Sequence, residues 1–141
     1  MRGGSEMANL YSSGFEDFEE IPDSVLDEML KAGAEIVADE QRKTARSMLG
    51  EKGRGSGTTV RSIKVKSPKK SRGGGREISI TFDGSRPNGK KTKRNAEVAF
   101  INEYGKPGQR AKQFIRIANE TATDSVTEVQ EAIMGKWLES Q

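Results

Sequence analysis

Apolar residues recur along this chain at two different periods, and the switches between them divide it into elements. From Asp23 onward, Val25, Leu26, Met29, Leu30, Gly33, Ile36, Val37 and Met48 return at steps of three and four. That is the spacing of one helix face. Lys31, Glu35, Asp39, Arg42 and Lys43 fall on the opposite face. Asp23 or Ser24 caps the start, Asp27 and Glu28 sit where the helix dipole favours negative charge, and Gly50 with the following "EKGRGSG" ends the helix. Two strands are predicted next. In "TTVRSIKVKS" (58–67), Val60, Ile63 and Val65 alternate among Arg and Lys, with a slip between Val60 and Ile63 that reads as a bulge or a late start. In "REISITF" (76–82), Ile78, Ile80 and Phe82 point one way and Glu77, Ser79 and Thr81 the other. "PKKSRGGG" reads as a long, mobile hairpin connection between them, and 83–94 as a basic loop.

The period then returns to that of a helix. "NAEVAFINEYG" predicts a short helix capped by Asn95, with Val98, Ile101 and Tyr104 on one face and a strand as the competing reading. Gly105, Pro107 and Gly108 break the chain. Phe114, Ala118, Ala122, Val126, Val129, Ile133 and Trp137 are spaced 4, 4, 4, 3, 4 and 4, which predicts one long helix over 111–139, with a bend near Thr121–Ser125. The fold expected is α+β: two long helices packed against a small antiparallel sheet, with a long flexible basic hairpin. Residues 21–141 form one domain. Residues 1–20 read as a flexible acidic arm with Phe15 and Phe18 as docking points, and those before Met7 as an expression remnant.

Composition narrows the function. With 141 residues, 32% apolar and 32% charged, the chain builds one domain with a lean core. It has no cysteine and no histidine. Disulfides, thiolate nucleophiles, the commonest general base and the commonest zinc ligand are therefore missing together. Catalysis would have to rest on carboxylates, Lys, Ser/Thr or Tyr, and no arrangement of these stands out. Glu97 and Glu103 are six apart and do not share a helix face. We expect no enzyme activity, no metal and no cofactor. No apolar run approaches the roughly 20 residues of a membrane span.

Charge is uneven. The stretch 42–94 holds 17 Lys/Arg against three acids, a net of +14 inside a chain of +3, so acidic ends flank a basic middle. Such a layout points to a polyanion or to head-to-tail contact between copies. Lys64, Lys66, Lys69, Lys70, Arg72 and Arg76 fall on the first hairpin, and Arg86, Lys90, Lys91, Lys93 and Arg94 on the next loop. Phosphate neutralisation needs no more than this. The aromatics that stack single-stranded bases are missing from the region apart from Phe82, so sequence-specific readout is not expected.

Within it, Gly84-x-x-x-x-Gly89-Lys90 falls one residue short of a phosphate-binding P-loop. Lys91 stands where a Ser or Thr would hold Mg²⁺, Pro87 removes a backbone donor, and no later strand ends in the second metal carboxylate. A solvated basic loop is the better reading.

"AEVAFINEYGKPGQRAKQFIRIANE" (96–120) resembles the signature of the tailed-phage neck protein family, the head–tail joining or tail-completion proteins of long-tailed phages. In that family an aromatic-rich stretch ends in Glu-aromatic-Gly, matched here by Glu103-Tyr104-Gly105. After a loop, Phe-hydrophobic-Arg and an Ala open a long C-terminal helix, matched by Phe114-Ile115-Arg116 with Ala118. Lys106 stands where the family usually has Thr, and Gln113 and Ile117 where it often has Pro.

The resemblance implies a structural virion protein at the head–tail junction, made in the host bacterial cytoplasm. It implies a ring in the virion, six-fold by the family's habit, around the DNA channel, with a monomer in solution left open as the state of the free chain. Its partners would be other head–tail connector and tail proteins. Glu103, Tyr104, Gly105, Phe114 and Arg116 would then shape contacts between subunits, although Tyr104 and Phe114 also read simply as core. The basic residues would face DNA or an acidic partner ring. The alternative is a small basic protein that binds nucleic-acid backbone.

Overall fold

The computed structural model describes residues 6–11, 21–49 and 56–141. Strand β1 (Glu6–Tyr11) comes first, followed by helices α1 (Asp23–Leu49) and α2 (Ser56–Ser62). Strands β2 (Ile63–Val65), β3 (Lys69–Lys70), β4 (Arg76–Phe82), β5 (Ser85–Asn88) and β6 (Lys91–Arg94) follow, then α3 (Asn95–Tyr104) and α4 (Phe114–Glu139). The fold is α+β, as the two periods of the sequence imply. Among the described residues no helix is long and apolar enough to cross a membrane.

The two long helices make the most extensive contact in the molecule. They run antiparallel. Gln41 Nε2 of α1 donates to Asn119 Oδ1 of α4 at 3.0 Å, and Gln130 Nε2 of α4 reaches back to the Met29 carbonyl at 3.2 Å. The buried stripe of α1 is made of Met29, Leu30, Gly33, Ala34, Val37, Ala38, Gln41 and Ala45. Its small residues let α4 approach closely: a Cβ at Gly33 would meet Gln130 Nε2 at 2.9 Å and Val126 Cγ1 at 3.1 Å. Met48, expected on this stripe, is exposed. α4 starts at Phe114 rather than Ala111, and its seam is fully buried only at Phe114, Ala118 and Ala122.

β4 is the central strand, flanked by β1 on one edge and by β2 and β3 on the other, all antiparallel. Its Ile78, Ile80 and Phe82 meet Leu30, Val37, Phe114 and Ile115 in the core. Glu77, Ser79 and Thr81, on its other face, are buried too.

Four sequence expectations change. The segment 58–62 is helical, not strand. The step of three from Val60 to Ile63, read as a slipped alternation, is a helical step, and both residues enter the core. Glu6–Tyr11, expected within the arm, pairs with β4, because backbone pairing on a free strand edge asks little of the sequence. The connection expected to be a long open hairpin loop is paired almost to its tip. Lys69↔Glu77 and Lys70↔Arg76 continue the ladder, and Ser71 N donates to the Gly75 carbonyl at 3.0 Å. Finally, the basic loop 83–94 is a second hairpin, β5–β6, with the register Ser85↔Arg94 to Asn88↔Lys91. Gly89 (φ 65) stands at the first of its two turn positions, where a type II′ turn needs glycine. Phe15 and Phe18 lie outside the described residues.

Candidate functional site

The two halves of the motif at 103–105 and 114–116 lie side by side because one carboxylate joins them. α4 begins without a local cap: Gln113 precedes it with φ 47 and offers no side-chain bond. The first N–H groups of any helix lack intrahelical partners. Here Glu103 of α3 supplies them from across the loop. Its Oε1 accepts the Ile115 N–H at 2.6 Å and its Oε2 the Arg116 N–H at 3.3 Å. The carboxylate is 4% exposed, and its charge lies at the positive end of the helix dipole. Its partners are backbone N–H groups, not the side chain of Arg110 or Arg116.

The loop between is held to α3 by main-chain bonds, Lys112 N to the Asn102 carbonyl at 2.7 Å and Gln113 N to the Glu103 carbonyl at 3.3 Å. Lys106 and Gln109 exchange both backbone bonds around Pro107 and Gly108 (φ 83), a turn with Pro and Gly where type II requires them. Gly105 is fixed twice over. Its φ is 80, and a Cβ there would meet Ala111 N at 2.8 Å and Gln109 O at 2.9 Å. Gln113 has a left-handed conformation closed to proline.

Phe114 and Tyr104 separate sharply. Phe114 is fully buried and meets Phe82 edge-to-face at 6.2 Å. Tyr104 is 65% exposed, a correction to its reading as core. The inward face of α3 is Asn95, Ala96, Ala99 and Glu103, which turns Tyr104 outward to stack on Phe100 at 5.8 Å. Arg116 is exposed while its N–H is held by Glu103.

The structure also sorts the eleven basic candidates. Four are tied into the fold. Arg76 forms a two-pronged pair with Asp27 of α1, at 2.8 and 3.0 Å. Lys66 pairs with Asp83, and Lys69 lies 3.7 Å from Glu77. Arg86 donates to Asn95 Oδ1 and Thr59 Oγ1, both at 2.8 Å, and burial pushes its guanidinium down from its ordinary value. The Asp83 carboxyl is pushed up by burial. Hydrogen bonds from Lys66 and Thr81 and the charges of Lys66 and Lys64 outweigh this and hold it below the usual value. Asn95, expected to cap α3, instead links Arg86 to the Asp83 carbonyl at 2.8 Å. The other seven (Lys64, Lys70, Arg72, Lys90, Lys91, Lys93 and Arg94) carry no ion pair among the described residues.

The strand–loop–helix register of the P-loop match is likewise a hairpin. The backbone groups that would wrap a phosphate pair across β5 and β6. Among the described residues no group of three or more acids gathers as a metal site. Sequence inspection missed the acidic side of α4: Glu120, Asp124, Glu128, Glu131 and Glu139 are all exposed. Their spacing was the available signal. Comparison with family models, with curated proteins and with solved structures returns no match.

Proposed function

We propose that the chain is a non-enzymatic, ring-forming subunit at the head–tail junction of a long-tailed phage or prophage. It would join or complete the tail around the DNA channel and contact other connector and tail proteins. The observation that carries this reading is the Glu103 cap on α4. It gives one physical reason for the whole Glu-aromatic-Gly, loop, Phe-hydrophobic-Arg pattern on which the family resemblance rests. The acid caps the helix, the glycine permits the sharp departure from α3, the phenylalanine anchors in the core, and the tyrosine and arginine stay outside for a neighbour. The charge layout supports a head-to-tail contact between copies, which closes into a ring when the rotation allows. Deleting the gene from the phage or prophage that carries it tests the reading. Separate filled heads and tails are the expected particles; normally joined, infectious particles overturn it.

The seven cations that carry no ion pair among the described residues favour a second reading, a small nucleic-acid backbone binder. It requires binding to duplex or single strand that falls steeply with salt. A flat response removes it.

A further inference from the structure

The outer face of α4 and much of the β5–β6 hairpin are exposed, and they are opposite in charge. At 100° per residue, Ile117, Glu120, Asp124, Glu128, Glu131 and Leu138 lie opposite the seam that packs on α1. All six are exposed, Ile117 at 38% and Leu138 at 51%. Among the described residues no ion pair or hydrogen bond engages the acids of this face. Acids at i, i+4 and i+8 repel along the helix, so the row opposes its own helix until a cationic surface covers it.

The hairpin has the complementary shape and sign. Among the described residues β5 and β6 pair only with each other, and six of their eight residues are exposed. Arg86 ties one side of the ribbon to Thr59 and Asn95; the rest lies in water, where a two-stranded ribbon is marginal. Lys90, Lys91 and Arg94 stand exposed on its turn and second strand with no ion pair among the described residues, whereas Lys93, opposite Arg86, is half-buried. Its four-residue strands run about 13 Å, and Glu120 to Glu131 span about 16 Å of helix. The first hairpin fits less well, since its Lys66 and Lys69 already face Asp83 and Glu77.

We propose that the β5–β6 hairpin of one copy lies along the outer face of α4 of a second copy, with Lys90, Lys91 and Arg94 against Glu120, Asp124, Glu128 and Glu131. Every copy carries both halves, so the contact is head-to-tail. It rests on the ring reading above and names the surfaces that would build that ring.

The chain has no cysteine, so single-cysteine variants report the contact directly. Lys91→Cys mixed with Asp124→Cys is expected to give several-fold more disulfide-linked dimer than the control mixture Arg72→Cys with Asp124→Cys, and less as salt rises. Equal yields overturn the proposal. A charge swap gives the second test. One variant reverses the hairpin (Lys90→Glu, Lys91→Glu, Arg94→Glu), the other α4 (Glu120→Lys, Asp124→Lys, Glu128→Lys, Glu131→Lys). Each alone is expected to stay at the 15.4 kDa monomer mass. Their equimolar mixture restores both pairings and is expected to assemble. If the parent assembles and the mixture does not, this docking is wrong while the ring reading stands. If the parent neither assembles nor cross-links, ring formation by this chain fails with it.

Discussion

The Glu103 carboxylate accepts the Ile115 N–H at 2.6 Å, across a twelve-residue separation. An acid at the end of one helix thereby caps the start of the next. Replacing it by Ala removes a charge-assisted bond and leaves buried donors without partners. The expected loss is about 2 kcal/mol, with Glu103→Gln costing about half as much because one acceptor oxygen remains. Urea unfolding of the two variants checks the order; equal stability to the parent would remove the cap from the account.

Gly105 and Gly108 separate two causes of glycine dependence. Both have positive φ, but only at Gly105 does a Cβ strike backbone, at Ala111 N and Gln109 O. Gly108→Ala is expected to cost about 1 kcal/mol from its dihedral alone. Gly105→Ala is expected to cost clearly more, read as a larger fall in Tm. Equal falls would mean that the close approach carries no weight.

Glycines inside the long helices make a second pair. Nothing lies within 4 Å of a Cβ at Gly135 of α4, so Gly135→Ala is expected to stabilise the fold by up to about 1 kcal/mol through helix propensity. Gly33→Ala gains the same propensity but presses on Val126 and Gln130. It is expected to show no gain, or a loss, in the same denaturation assay.

Asp83 links pH to stability. Its folded value lies below the ordinary 3.8 because Lys66, Thr81 and Lys64 together outweigh its burial. A depressed carboxyl stabilises the fold fully above its unfolded value and loses that contribution as pH falls through the lower, folded value. Asp83→Asn is therefore expected to lower stability near neutrality and to flatten its decline below about pH 4. Acid titrations of the two proteins that run parallel would contradict this.

Much of the architecture was legible because the long elements repeat their period many times. The 3.6-residue seam of α4 and the two-residue alternation of β4 each rest on several positions. α2 rests on seven residues, too few for a period to stand out, and its buried Thr59 and Ser62 carry no hydrophobic signal. β5–β6 is polar on both faces, so alternation could not reveal it. Asn88-Gly89 was its only cue, and it was absorbed into a near-match to a phosphate loop. Glu103 and Phe114 were legible as site residues from motif resemblance. The bond linking Glu103 to α4 was not, since nothing local marks an acid that caps another helix. Tyr104 was misjudged for a simpler reason: aromatic character was taken as burial, whereas Ala96 and Ala99 fill the inward face of α3.

The surface aromatic offers a test of assembly apart from folding. Tyr104→Ala loses only the stack on Phe100, an effect expected to stay below about 1 kcal/mol. If Tyr104 contacts a neighbour, the variant is expected to keep its Tm while its assembly shifts to higher protein concentration. Unchanged assembly would return Tyr104 to an ordinary surface role.

Whether this chain builds a ring is read from its native mass by light scattering, measured across protein concentration at low and moderate salt. The account expects a closed oligomer at a fixed multiple of 15.4 kDa, six-fold by the family resemblance, favoured by concentration and weakened by salt. A mass that stays at the monomer value under every condition would contradict it.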